Sequence, residues 1–336
     1  MRDVASPGTV SVDEPATKGR VPRIINDQPG RADRAFDRVT LIAGISVLLL
    51  LTLVGVFLLF QSRTAVSESG IWHFLSRVPF RTDVHPPRIG VLGLLVGTVL
   101  VAVVAVAIAL PLSVVTALAI TEYAGARVRK WLVGVVDLLA AVPSLLFGLW
   151  GFIYLQDKVI PISRWLTDHL GFIPFFKTDP EASLSNSIFI AGIVVALMVI
   201  PIITSVVREV FSQTPPGEKE AALALGGTRW GMIRSVVLPY GRSGIVGGTM
   251  LGLGRALGET IAVALILPQV PSTSIKILQN GGATVSGFIA NRAGADSFTV
   301  SGLMAAGLVL FLMTLATNMI ASVVVSRSRS GVGVEL

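Results

Sequence analysis

Apolar residues in this chain gather into long blocks rather than the short alternations of a soluble fold. Six blocks reach the about 20 residues that a bilayer-crossing helix needs. They are Val39–Phe60, Ile89–Ile120, Trp131–Leu155, Ser187–Val207, Arg242–Leu267 and Ser301–Val325. The second is long enough to cross with a tilt or to project beyond the bilayer. Pro111 predicts a kink within it. Pro143 and Pro201 interrupt the third and fourth blocks, which membrane helices tolerate where neighbours satisfy the freed carbonyls. Short helical pieces are expected at Ile71–Leu75 and Ser163–Leu170, in the loops Gln61–Arg88 and Gln156–Asn186. Residues 1–38 hold Pro7, Pro15, Pro22 and Pro29 and show no apolar period, so they read as a flexible tail. The block after the tail is too long for a signal peptide and reads as a retained span. The pattern predicts an all-α membrane protein of six transmembrane helices over residues 39–325, with tails at 1–38 and 326–336.

Composition narrows the class. Of the 336 residues, 52% are hydrophobic and 14% charged, against about 25% charged in soluble domains. That excludes an ordinary soluble enzyme, a disordered chain and a fibrous one. The net charge of +7 fits basic residues flanking membrane spans better than nucleic-acid binding, for no Lys/Arg run is interleaved with aromatics. With the N-terminus inside, the inner segments carry 17 Lys and Arg and the outer loops 9. The positive-inside rule then places both termini, and the loop 208–241, in the cytoplasm. There is no cysteine, so disulfides, iron–sulfur clusters and thiol nucleophiles are excluded. The three histidines, His73, His85 and His169, lie in polar loops, and no metal site is expected. No Walker-type loop occurs. Gly252-x-Gly254 follows no strand and precedes no Gly-Lys-Ser/Thr, so no nucleotide site and no catalytic residue are expected on this chain.

Chemistry concentrates in the fifth block. Arg255 lies about 13 residues into it, roughly 20 Å along a helix and so near mid-membrane. A charge there is costly and by default faces a bundle interior or an aqueous path. Glu259, four residues on, is expected on the same helix face. Gly244, Gly248 and Gly252 repeat every four residues, and on a regular helix Arg255 and Glu259 fall within roughly 20° of this small-residue seam. Arginine suits an oxyanion because its planar fork donates two hydrogen bonds and stays protonated. Glu259 would hold that fork or repel the anion for release; the alternative is a self-neutralising pair that only permits insertion. Asp137 is a candidate inner gate or the partner of a basic loop residue. Thr314 and Asn318, one turn apart in the last block, are expected to bond between helices. Trp72, Trp150 and Trp165 read as interface markers.

The cytoplasmic loop carries a spaced pattern. Pro215-Pro216-Gly217 precedes a short helix that Gly226 is placed to stop, and a second amphipathic piece, Thr228–Val237, ends at Leu238-Pro239. Glu220-Ala221-Ala222, three residues, Gly226, nine residues, Val236, one residue, then Leu238-Pro239 resembles the EAA loop of ABC importer permeases. Val stands at 236 where that family has Ile more often. The resemblance implies a coupling helix that docks on a separate ATP-binding subunit.

The stretch Leu253-Gly254-Arg255-Ala256-Leu257-Gly258-Glu259-Thr260-Ile261-Ala262-Val263 is similar to the PstC-type permeases of phosphate-specific ABC importers. Leu95-Val96-Gly97-Thr98, Thr121-Glu122-Tyr123-Ala124 and Asp137–Gly151 agree, so the resemblance covers roughly residues 39–325. It implies a MetI-like type I importer bundle in a bacterial inner membrane, with Arg255 and Glu259 on the phosphate path. It also implies a PstA-type partner permease, two PstB-type ATP-binding subunits that hold ATP and Mg, and an external PstS-type phosphate-binding protein. The alternatives are a permease for another oxyanion, sulfate or molybdate, and a stand-alone anion channel or secondary transporter.

Overall fold

A computed structural model describes residues 30–77, 80, 89–292 and 294–329. The tail at 1–29, the last residues 330–336, and His85, Arg81 and Arg88 of the first outer loop lie outside the described residues. The contacts divide the chain after Thr52 into two units. In the first, helix α1 (Arg31–Gln61) begins at Arg31, so residues 31–38 of the expected tail are already helical. Every side chain described from Asp33 to Thr52 is exposed, which suits a helix that is apolar all round and meets lipid or another subunit.

The second unit, from Leu53 on, holds the bundle. Helices α2 (Arg63–Ser69) and α3 (Ile71–Ser76) follow the end of α1, and α3 realises the helical piece expected at Ile71–Leu75. Next, α4 (Leu92–Leu118) runs through Pro111 and closes in a wider π-turn at Ala119–Tyr123. Two further long helices are α8 (Ile188–Ser212) and α15 (Ser297–Arg329). Ser187 caps α8 by accepting the Ile190 N–H at 3.4 Å. The main core forms where α4 and α8 pack together, from Val101, Ala105, Val194, Val199 and Ile203, all essentially buried. The Ser113 hydroxyl donates across this interface to the Ile200 carbonyl at 3.0 Å. A smaller core of Phe74, Phe80, Ile89, Phe288 and Leu303 ties the first outer loop to α15.

The third predicted span is corrected. Helix α5 (Ala126–Ala141) stops where Val142 turns extended, and α6 (Ser144–Trp150) starts after Pro143. Proline drives its preceding residue out of the helical region, so here it ends a helix rather than kinking one. From α6 the chain passes through a π-turn, Gly151–Leu155, into α7 (Gln156–Leu170). The apolar helix therefore covers Ser144–Leu170, and the separate piece expected at Ser163–Leu170 is its end. The helix runs on through polar Gln156, Asp157 and Lys158, which the sequence reading placed in a loop.

The fifth predicted span is also corrected. Between α8 and that span lie α9 (Pro216–Ala224), α10 (Arg229–Met232), a π-turn at Ile233–Val237 and α11 (Leu238–Tyr240). Helix α12 (Arg242–Gly258) then breaks at Glu259-Thr260, and α13 (Ile261–Ile266) resumes beyond it. Five helices among the described residues are long and apolar enough to cross a membrane, and the broken α12–α13 pair is not one of them. Helix α14 (Val285–Asn291) lies between α13 and α15 in the chain. Ser187 pairs with Asn280 and Val270 with Gly282 in isolated bridges.

Candidate functional site

The break in α12–α13 sets the geometry around Arg255 and Glu259. Glu259 adopts φ −65° and ψ 128°, so it leaves the helix. Its side chain is 8% exposed and accepts the Ala262 N–H at 3.3 Å, capping the start of α13. Its carbonyl accepts the Ser286 hydroxyl at 2.6 Å. Arg255 is exposed, in the last turn of α12, where the helix dipole favours a cation. The expectation that the two residues share one helix face fails because no helix joins them. Among the described residues they form no ion pair with each other.

Gly244, Gly248 and Gly252 are buried and meet α8, as a close-packing seam should. A Cβ on Gly252 would come within 2.6 Å of Val199 Cγ1, and one on Gly248 within 3.3 Å of Val206 Cβ. Arg255 lies beside this seam, not in it. Residues four apart advance about 400°, so the contact line rotates by about 40° at each step. By Ala256, which is buried, the line has turned roughly 100° away from Arg255. Arg255 instead borders a pocket of about 410 Å³ with Ile202, Leu251, Gly254, Thr314 and Asn318. The Thr314 hydroxyl donates to its own helix at Phe311 O, 2.9 Å away. Among the described residues Asn318 has no hydrogen-bond partner. The interhelical bonds expected of these two residues are therefore not made among the described residues.

The loop 208–241 follows its sequence more closely. Helix α9 begins after Pro215, with Pro216 in the first turn, where its missing N–H costs nothing. Gly226 ends it with φ +84°, a left-handed conformation that glycine adopts without strain. Thr228 caps α10 by accepting the Gly231 N–H at 3.1 Å. Leu238-Pro239 does not end the second piece. The π-turn leads straight into α11, and Gly241 and Ile245 carry the hydrogen bonding on into α12. Glu220 and Ala221 are exposed, Ala222 and Leu238 rest half-buried against the core, and Pro239 is exposed. Leu225 is 90% exposed, with Leu223 and Trp230 exposed nearby. These three give the charged loop an exposed apolar rim.

Sequence reasoning missed how this loop is tied to the bundle. Lys219 Nζ contacts Glu122 Oε1 at 2.7 Å, and the Glu122 side chain is only 7% exposed. Arg129, from α5, donates to the Ile120 and Thr121 carbonyls at 3.0 and 2.8 Å, satisfying the end of α4. Arg229 lies over the Tyr123 ring at 5.3 Å. The signal was present in Thr121-Glu122-Tyr123: an acid and an aromatic closing a span, opposite a basic loop. Asp137, on α5, is exposed and has no basic partner among the described residues. Among those residues no group of three metal-ligating side chains occurs.

Residues 109–330 match the family described as the binding-protein-dependent transport system inner membrane component. The chain belongs to that family. Its members are membrane components of transport systems, and the matched region runs from the end of α4 through the loop 208–241 and the Arg255 pocket to α15. A relative from Mycobacterium tuberculosis, the phosphate transport system permease protein PstC 2, is 39% identical over 91% of this chain and 96% of its own length. The phosphate transport system permease protein PstC of Mycobacterium leprae is 43% identical over 69% of this chain and 74% of its own. The fold is similar to a chain in the crystal structure of a bacterial ABC transporter involved in the import of alginate. That likeness covers 88% of this chain and 99% of that one, with a TM-score of 0.51 and 16% identity.

Proposed function

We propose that this chain is the permease subunit of an ATP-driven phosphate importer. The observation that carries the reading is Arg255: a cation with no ion pair among the described residues, in the last helical turn before a break, in a chain whose relatives are named phosphate permeases. Non-helical backbone at membrane depth is tolerated where it lines a cavity or is buried in protein. In this reading the α12–α13 pair makes the sixth crossing, and both termini lie in the cytoplasm. Phosphate, delivered by an external binding protein, passes along the interface with a partner permease. Arg255 compensates its charge for the moment of passage, and Glu259 holds the break open and repels the anion onward. Binding stays weak enough for release. Asp137, exposed on α5, serves as the inner gate.

Energy enters through the loop 208–241. Glu220, Ala221, Ala222 and Gly226 form the coupling helix and its turn, which dock on a separate ATP-binding subunit. The exposed Leu225 and Trp230 fill the contact. Leu238 and Pro239 sit in the rigid lever that joins the loop to α12. Two such ATPases hold ATP and Mg; this chain supplies no catalytic group. The test is binding-protein-dependent uptake of labelled phosphate in proteoliposomes holding the whole complex. Arg255→Gln is expected to lower uptake at least tenfold with the complex intact. Unchanged uptake would remove Arg255 from the path and reopen the choice of anion.

A further inference from the structure

Resting on that reading, we propose that Asn318 is a second phosphate-contacting residue, which together with Thr314 completes the polar lining around Arg255. Three helices build the pocket: Ile202 comes from α8, Leu251, Gly254 and Arg255 from α12, and Thr314 and Asn318 from α15. No carboxylate lines it. Its polar groups are one guanidinium, one hydroxyl and one amide, and the rest of the wall is apolar or bare backbone. That composition suits a small anion that carries its own hydrogens.

The placement of Asn318 is specific. A Cβ on Gly254 would stand 3.6 Å from Asn318 Oδ1, so the amide lies over the residue that directly precedes Arg255. Arg255 and Asn318 line the same pocket, with Gly254 between them at ordinary contact distance from the amide. Asn318 also stands in a long apolar helix, where an amide without a partner is disfavoured and a leucine would insert more readily. The usual reason for such an amide is a bond to a neighbouring helix. Among the described residues it makes none. Thr314 spends its proton on Phe311 O, which leaves its oxygen free to accept.

The chemistry is complementary. Phosphate near neutral pH carries at least one P–OH beside its anionic oxygens. The guanidinium fork takes two anionic oxygens. The amide offers one donor group and one acceptor, whichever way it is flipped. It can donate to a third oxygen, while its own oxygen or that of Thr314 accepts from the P–OH. Arg255 then supplies charge, and Asn318 and Thr314 supply orientation.

The experiment compares wild type with Asn318→Leu, Asn318→Gln, Thr314→Val and Arg255→Gln as full complexes in proteoliposomes. It reads phosphate moved per ATP hydrolysed and recovery of all subunits on purification. The expected result is an about tenfold lower ratio for Asn318→Leu with all subunits recovered. Thr314→Val is expected to fall about threefold. Asn318→Gln should remain within about threefold of wild type, since it keeps both hydrogen-bonding groups. An unchanged ratio in Asn318→Leu overturns the proposal. So does loss of the partner permease from that complex, which would make the amide a contact between subunits. If Arg255→Gln lowers uptake and Asn318→Leu does not, only the Asn318 assignment falls; if neither lowers uptake, the path itself is misplaced.

Discussion

At the scale of single residues, two glycines show how backbone and packing divide the work. Gly226 is fixed by conformation: φ +84° is left-handed, and a side chain there costs about 1–2 kcal/mol. Gly226→Ala is expected to leave the bundle folded and to weaken assembly with the ATP-binding subunit, seen as a lower yield of that subunit on co-purification. Gly252 is fixed by space, since a Cβ would press on Val199 and Ile203 within 2.6–2.8 Å. Gly252→Val overpacks the α8–α12 contact at an expected cost of about 1–3 kcal/mol. The check is a lower thermal unfolding midpoint in detergent, with Gly217→Ala, where a Cβ meets nothing within 4 Å, as the neutral control. The sequence offered Gly226 as a helix stop and Gly252 as part of a small-residue seam; the structure supplies the torsion of the one and the neighbours of the other.

At the scale of elements, the loop 208–241 has a turn at Gly226 and an anchor on α4, which is what the proposed coupling role requires. The Lys219–Glu122 contact ties the first turn of α9 to the end of α4. Glu122→Gln leaves the partly buried Lys219 without its counter-charge, and the expected destabilisation is about 1–3 kcal/mol. A double-mutant cycle with Lys219→Met measures the coupling; additive effects would mean that the contact is only a surface pair. Leu225 tests the opposite face. Leu225→Ser should leave the thermal midpoint of the isolated chain unchanged, because the side chain is 90% exposed. It should lower ATPase co-purification several-fold. Unchanged recovery would move the docking surface elsewhere on the loop.

At the scale of the whole molecule, the end of the bundle expected to face outward is held by contacts between distant loops. Lys276 contacts Asp179 at 2.6 Å, and the Ile277 N–H donates to Phe175 O at 3.0 Å. The Lys276 ammonium, helped by Gln279, holds the Asp179 carboxyl below its ordinary range. A carboxylate with a lowered folded-state pKa stabilises above its unfolded pKa, and that contribution is lost as pH falls through the folded value. Acidification below about pH 4 should therefore loosen this loop pair. Wild type is expected to lose more thermal stability between pH 5 and pH 3 than Asp179→Asn does. Equal losses would show that the pair contributes nothing to the outer surface.

Much was legible from the chain itself, because bilayer thickness and helix rise together fix how long an apolar block must be. That reasoning located the cores of α1, α4, α8 and α15, all within the predicted blocks. Local backbone rules placed the α9 helix, its start after Pro215 and its stop at Gly226. Only the tertiary structure decided the rest. Pro143, read as an interruption, does end a helix, but the apolar segment that follows runs on to Leu170 rather than stopping at Leu155. Glu259 left its helix because its carboxylate found the Ala262 N–H and its carbonyl found Ser286, a residue 27 positions away. Arg255 fell beside the glycine seam because the four-residue ridge rotates as it climbs. Sequence spacing records how a regular helix would present a side chain. It does not record where the helix breaks or which neighbour the ridge turns toward, and those two facts brought Arg255, Thr314 and Asn318 to one pocket.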